Sequence, residues 1–217
     1  MSNRPLLGIV RVLTTDDESL LTAHGRAIAE EHGLETRSIC IPDQPHGVYD
    51  DASAALAIPK IVEAVRELVA DGAGAVMISC AADPGLAESR AEVSVPVYGA
   101  GSTAASVAAA ISTKVGVLGI TEEAPASITS VLGDRMISHR QPTGVTKTTD
   151  LLTEAGQAAA LRTAGELVSD GAEIVVFACT GLTSIDLAGA VRENWGVPVV
   201  DAVRATGAIA GLTAAPA

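Results

Sequence analysis

Cys80 and Cys179 are the residues of this sequence best placed to do chemistry. Each closes an apolar run and precedes a turn into a helix. The segments ELVADGAGAVMISCA (67–81) and ELVSDGAEIVVFACT (166–180) align without gaps at an offset of 99, with 8 of 15 positions identical. The two thiols therefore stand at equivalent places in an internal repeat. Beyond the carboxyl end of a strand in an α/β sheet, backbone N–H groups point outward, and the following helix adds partial positive charge. Such surroundings lower a thiol pKa and stabilise a developing enolate. If the repeats face each other, a small molecule between them meets one sulfur on each face. One thiolate can then remove a proton from carbon while the opposite thiol returns one, which is the chemistry of racemisation. The backbone N–H groups of Ala81, Ala82, Thr180 and Gly181, with the hydroxyls of Ser79 and Thr180, are candidate donors to the intermediate. Neither a pyridoxal lysine nor a metal is required. The opposing reading is a structural cysteine copied by duplication, since free cysteines are commonly packing residues. Cys40, which has no repeat partner, fits that description. A redox disulfide between Cys80 and Cys179 is disfavoured, because a cleft wide enough for substrate holds them too far apart.

The elements that must position these thiols alternate between short apolar strands and helices. LLGIVRVL (6–13), residues 34–41, AVMIS (75–79) and VPVYG (95–99) read as strands of a first unit. KVGVLGI (114–120), residues 134–140, EIVVFA (173–178) and VPVV (197–200) repeat the pattern. Gly8 and Gly116 begin the two copies, and VPV recurs at 95–97 and 197–199. Thr15 and Glu18 fit a capping box at the first helix, and Gly33 fits its end. Pro59 is expected near the start of the second helix. Asp83-Pro84 reads as a cap followed by proline at the first helical position, and Thr121 opens the helix after the fifth strand. Alternation of this kind predicts an α/β fold with parallel sheets and right-handed crossovers. We expect two Rossmann-like lobes related by a pseudo-two-fold axis, with the site at their interface. The first would span residues 1–99 and the second 100–202, with the last helix, 203–217, packing back on the first.

Composition narrows the partners. Of the 217 residues, 48% are hydrophobic and only 2% aromatic, and the formal net charge is -12. That argues against nucleic acid and an anionic membrane surface, and leaves a small-molecule substrate or a protein partner. The uncharged stretch 93–113 holds Pro96, Gly99 and Gly101, and reads as strand–turn–helix rather than a membrane span. The N-terminus carries no signal-peptide pattern and the three cysteines form no disulfide framework, so a reducing cytoplasm is expected. The Ala-rich helices are compatible with a homo-oligomer.

The segments SCAADPGL (79–86), VPVYGAG (95–101), ACTGL (178–182) and VPVVDAV (197–203) resemble the aspartate/glutamate/hydantoin racemase superfamily, specifically its hydantoin racemase-like branch. The loop DQPHGVYDD (43–51) is similar to that family's loop after the second strand. The resemblance implies a cofactor-free two-thiol isomerase acting on small carbon acids, with 5-substituted hydantoins first and aspartate or glutamate second. Decarboxylation or isomerisation belongs to the same superfamily. A non-catalytic ligand-binding protein is the alternative from another class.

One departure from the family bears on substrate. Arg11 lies in GIVRVLTTDD (8–17), a charge inside an apolar strand. It reads equally as a clamp for a substrate carboxylate or imide carbonyl, or as an arginine paired with an acidic neighbour across the lobe or pointing into solvent. Thr14 and Thr121, at strand ends, are further candidates for substrate contact, although caps would explain them equally. His24 and His32 read as solvated or capping residues, and His46 belongs to a loop that could cover the cleft. Asp83 reads as an N-cap rather than a base, and Asp201 reads equally as an N-cap or as a hydrogen-bonding residue of the site.

Overall fold

The computed structural model describes residues 6–213. Eight strands form two separate, wholly parallel four-stranded sheets. In the first, β1 (Leu6–Arg11), β2 (Glu35–Cys40), β3 (Ala73–Ser79) and β4 (Val97–Gly99) lie in the order β2-β1-β3-β4. In the second, β5 (Val115–Leu118), β6 (Met136–Arg140), β7 (Ile174–Phe177) and β8 (Val199–Val200) repeat that order as β6-β5-β7-β8. The helices are α1 (Glu18–His32), α2 (Asp51–Ala70), α3 (Leu86–Glu92), α4 (Ala100–Ile111), α5 (Ala126–Leu132), α6 (Glu154–Ser169), α7 (Gly181–Ser184), α8 (Leu187–Trp195) and α9 (Ala202–Thr213). None of them is long and apolar enough to cross a membrane.

The repeat seen in the sequence is a repeat in packing. A Cβ on Gly8 would meet Leu68 at 3.0 Å and Ala73 at 3.2 Å, and one on Gly116 would meet Leu167 at 3.2 Å and Ala172 at 2.8 Å. Leu68 and Ala73 correspond to Leu167 and Ala172 at the same offset of 99. In both lobes only glycine lets the first strand approach the helix behind it.

Period-two alternation divides each sheet into two faces. Outward residues of the first sheet, Val10, Val76 and Ile78, pack on Ile61, Val65 and Leu68 of α2. Those of the second, Val175 and Phe177, pack on Ala164 and Leu167 of α6 and Val191 of α8. The inner faces share a single cluster. Leu7, Ile9 and Met77 join Val115, Val117, Ile174 and Val176 around Ala100, Ala104, Ala105 and Ala108 of α4, together with residues of α5 and α9. The alanines are functional here in a mechanical sense, because small side chains let one helix lie between two sheets. α9 packs on α1 and α4.

Several local expectations are corrected. Asp17, not Thr15, caps α1, its carboxylate accepting from Ser19 and Leu20 N–H. Pro59 lies inside α2, which begins earlier with a capping box between Asp50 and Ser53. The helix after β5 starts at Ala126 rather than at Thr121. Asp83 does not start α3. It adopts a left-handed conformation (φ 52°), and its buried carboxylate reaches the N–H groups of Gly101 and Ser102, both at 2.8 Å, so it caps α4. In the second lobe Asp201 caps α9 through the N–H groups of Val203 and Arg204 at 2.9 and 3.1 Å. At an offset of 102 these two pairs of N–H groups coincide, and Gly99 is the counterpart of Asp201. The same cap is thus filled from different positions. A Cβ on Gly99 would collide with the Asp83 carboxylate.

Candidate active site

The carboxyl ends of the two sheets meet at a cavity of about 880 Å³. Cys80, just past β3, and Cys179, just past β7, both line it. Ser79, Ala81, Ala82, Thr121 and Thr180 line it too. Gly181 lies behind the wall and turns its N–H toward the sulfur of Cys179.

Burial raises both thiols, and their surroundings differ. Part of Cys80 opens on the cavity, yet its sulfur lies deep among protein atoms, and desolvation pushes its pKa up to about 12. The Ala82 N–H opposes that rise, while Cys179 and the Asp83 carboxylate add to it. Cys179 is also raised by desolvation, but the N–H of Gly181, the hydroxyl of Thr148 and the N–H of Leu182 all act against the rise. Thr148 Oγ1 lies 3.9 Å from the Cys179 sulfur.

The hydroxyls expected to meet substrate are engaged within the protein. Thr180 Oγ1 donates to the Ser79 carbonyl at 3.1 Å, across the lobe boundary. Ser79 Oγ is 2.7 Å from His24 Nδ1, and His24 Nε2 is 3.1 Å from Ser184 Oγ. His24 is therefore a buried bridge from α1 to the residue before Cys80 and to α7, not a solvated or capping side chain. Burial, reinforced by nearby Arg11, holds its pKa well below the usual imidazole range. Thr121 Oγ1 donates to the Glu123 carbonyl at 2.7 Å, which shapes the turn after β5.

Arg11 and Thr14 lie outside the lining. Arg11 is 2% exposed, and its Nη1 donates to the carbonyls of Leu20 and Leu21 at 2.6 and 3.1 Å. It shares the strand face of Leu7 and Ile9, which points toward α1. Arg11 is thus neither a clamp at the cavity, nor paired with an acidic side chain among the described residues, nor exposed, but a tie between β1 and α1, with burial lowering the guanidinium pKa to about 10. Thr14 Oγ1 donates to the Ile41 carbonyl at 2.7 Å and accepts from Gln44 N–H at 2.7 Å, fixing the start of the 43–51 loop. His46 in that loop is exposed and away from the cavity.

The cavity has a distinct electrostatic character. Asp50, Asp51, Glu122 and Glu123 line it, and among the described residues no lysine or arginine does. Val12, Leu13, Val48 and Ile58 form an apolar wall on the first lobe, and Ile120 and Met136 form one on the second. Among the described residues no cluster of histidine, cysteine or carboxylate side chains could hold a metal ion.

Two further residues belong to the site, His24 behind Ser79 and Thr148 beside the Cys179 sulfur. His24 shares an i, i+4, i+8 stripe with Leu20 and Ile28, and a polar residue on an apolar stripe is a legible signal. Thr148 becomes visible when the repeat is extended, since at an offset of 99 it aligns with Tyr49, which also lines the cavity.

The profile of the family described as Asp/Glu/Hydantoin racemase matches residues 18–210. Hydantoin racemase of Rhizobium meliloti is 29% identical over 169 residues, which are 75% of this chain and 69% of that protein. Allantoin racemase from Klebsiella pneumoniae superposes with a TM-score of 0.83 at 19% identity, covering 98% of this chain and 90% of the other. Allantoin racemase from Pseudomonas fluorescens gives 0.76 at 23% identity, covering 94% and 88%.

Proposed function

The chain belongs to the Asp/Glu/hydantoin racemase family, and from that premise we propose that it is a cofactor-independent racemase of 5-substituted hydantoins whose two bases are Cys80 and Cys179. The observation that carries this reading is that two thiols from equivalent strand ends of two lobes line one cavity. In the reaction, one sulfur as thiolate takes the proton on C5 of the ring. The electron pair of that C–H bond moves toward the adjacent carbonyl, giving an enolate. The opposite sulfur gives its proton to the other face of C5. The N–H groups of Ala81 and Thr180, one residue past each cysteine, are the donors we assign to the enolate oxygen.

The charge of the wall supports a neutral ring over an acidic amino acid. Aspartate and glutamate carry carboxylates that a site would hold with arginine, lysine or a dense set of N–H donors. Among the described residues this lining has four carboxylates and no lysine or arginine. The apolar walls suit a substituent on C5.

The test is exchange at carbon. Enantiopure 5-isopropylhydantoin, allantoin, aspartate and glutamate are incubated with the protein in D2O. Circular dichroism follows optical activity, and NMR follows loss of the proton on the stereogenic carbon. We expect the hydantoins to lose both signals together, faster than the uncatalysed reaction. Exchange of aspartate or glutamate with both hydantoins at background would overturn the substrate assignment. Full activity in Cys80→Ser or Cys179→Ser would overturn the two-thiol mechanism.

A further inference from the structure

We propose that the two sulfurs are unequal, that Cys179 ionises first and Cys80 holds its proton in the free protein, and that Thr148 fixes this order. The catalytic meaning of this inference rests on the racemase reading above; the order of ionisation does not.

The argument begins with donors. The Cys179 sulfur is faced by the N–H of Gly181, by the N–H of Leu182 (which also bonds the Cys179 carbonyl at 3.2 Å) and by the Thr148 hydroxyl at 3.9 Å. The Cys80 sulfur has the N–H of Ala82 and, close by, the buried Asp83 carboxylate. Hydrogen bonds to a thiolate favour it, whereas a neighbouring carboxylate disfavours it. Among the described residues, Thr148 supplies the one hydroxyl bonded to either sulfur.

The placement of Thr148 is built, not incidental. A Cβ on Gly181 would lie 2.7 Å from Thr148 Cγ2 and 3.4 Å from the Cys179 sulfur. Only glycine there leaves room for the threonine methyl and an open path from the sulfur to the N–H. The segment before Thr148 is pinned by the Asp150 carboxylate, which accepts from Thr146 N–H at 2.8 Å and Lys147 N–H at 3.0 Å. Tyr49, the counterpart of Thr148, instead packs its ring beneath the Lys147 ammonium, 5.8 Å from the ring centre.

The mechanism gains a direction. Cys179 as thiolate takes the C5 proton, and Cys80 as thiol gives its proton to the opposite face. Turnover leaves the negative charge on Cys80, where it is poorly supported. A proton must then pass from Cys179 to Cys80, through water or through the reverse reaction, before the same enantiomer is converted again. Because racemisation has an equilibrium constant of one, kcat/KM stays equal for the two enantiomers. The inequality appears as kcat and KM that differ in parallel.

Alkylation tests the order without turnover. The wild-type protein is treated with iodoacetamide between neutral and alkaline pH, and the Cys80 and Cys179 peptides are quantified by mass spectrometry. We expect Cys179 to react about tenfold faster than Cys80 at neutral pH, although Cys80 has the larger exposed surface. In Thr148→Val the Cys179 midpoint should rise by about one pH unit with Cys80 unmoved, and Thr148→Ser should restore it. Faster reaction at Cys80 in the wild type overturns the proposal without any variant. Equal shifts of both cysteines, or of neither, in a folded Thr148→Val protein overturn the role of Thr148. The deuterium-exchange experiment judges the racemase reading separately.

Discussion

Thr180 follows one candidate base and Ser79 precedes the other, and the hydroxyl of Thr180 donates to the carbonyl of Ser79 at 3.1 Å. The side chain that follows one sulfur is therefore bonded directly to the backbone that precedes the other. His24 reinforces that bond from behind, with Ser79 on one ring nitrogen and Ser184 on the other. The spacing between the thiols is set by a small polar network instead of by the distant sheets alone.

That network is pH-sensitive in a defined sense. The folded state holds His24 neutral, with a pKa well below its unfolded value near 6.5. Its contribution to stability is present above pH 6.5 and is lost as pH falls toward the folded pKa. Unfolding free energy should decrease by about 1.4 kcal/mol per pH unit from this one group. Urea titrations at pH 7.5, 6.0 and 5.0 should give a shallower loss in His24→Gln than in the wild type. Parallel curves would refute the assignment.

The rate should climb with pH. Both thiols are raised by burial, so the thiolate that acts as base is a minor species at neutral pH. Activity should increase up to about tenfold per pH unit from neutral into the alkaline range. It should not fall until Cys80 begins to lose its proton, near pH 12. Initial rates with 5-isopropylhydantoin across roughly pH 6.5–9.5 check this. A maximum below neutrality is the contrary result.

Arg11 is a tie, not a ligand. Arg11→Leu should leave KM for a hydantoin within about twofold, since no atom of Arg11 lines the cavity. The cost should appear in stability, on the order of 1–3 kcal/mol for loss of a charge-assisted bond to the α1 carbonyls. Thermal melts and steady-state kinetics on the same preparation separate the outcomes. A large rise in KM with unchanged melting would restore the clamp.

The capping carboxylates offer a reciprocal test. Gly99→Asp alone should destabilise strongly, because its side chain enters the space of the Asp83 carboxylate. Asp83→Ala alone should cost about 0.5–2 kcal/mol by uncapping α4. The double variant should be more stable than the sum of the two losses predicts, since an aspartate at 99 then sits as Asp201 does in the second lobe. Additivity within about 0.5 kcal/mol would show that the two positions are independent.

The architecture was legible in the sequence because duplication wrote it twice. Apolar runs ending in Cys80 and Cys179 located two strand ends, and strand period and turn residues are local properties. What escaped was non-local. Asp83 looks like the cap of the helix that follows it in sequence, yet it caps α4, beyond an intervening strand. Arg11 reads equally as a clamp or as a paired or exposed arginine, because the charge of a strand residue is visible in the sequence and its face is not. His24 looked like an ordinary surface histidine until α1 was laid against both lobes. Thr148 lies outside the segments whose identity reveals the repeat, 67–81 and 166–180, and comes into view only when that offset is carried further along the chain.

The capping carboxylates also limit what the two halves can exchange. The lobes fill equivalent caps from positions 83 and 201, and a chain carrying aspartate at both 83 and 99 would clash, while one carrying neither would leave α4 without its side-chain cap. The halves are therefore not interchangeable parts: the residue at 201 fits position 99 only if the one at 83 changes with it.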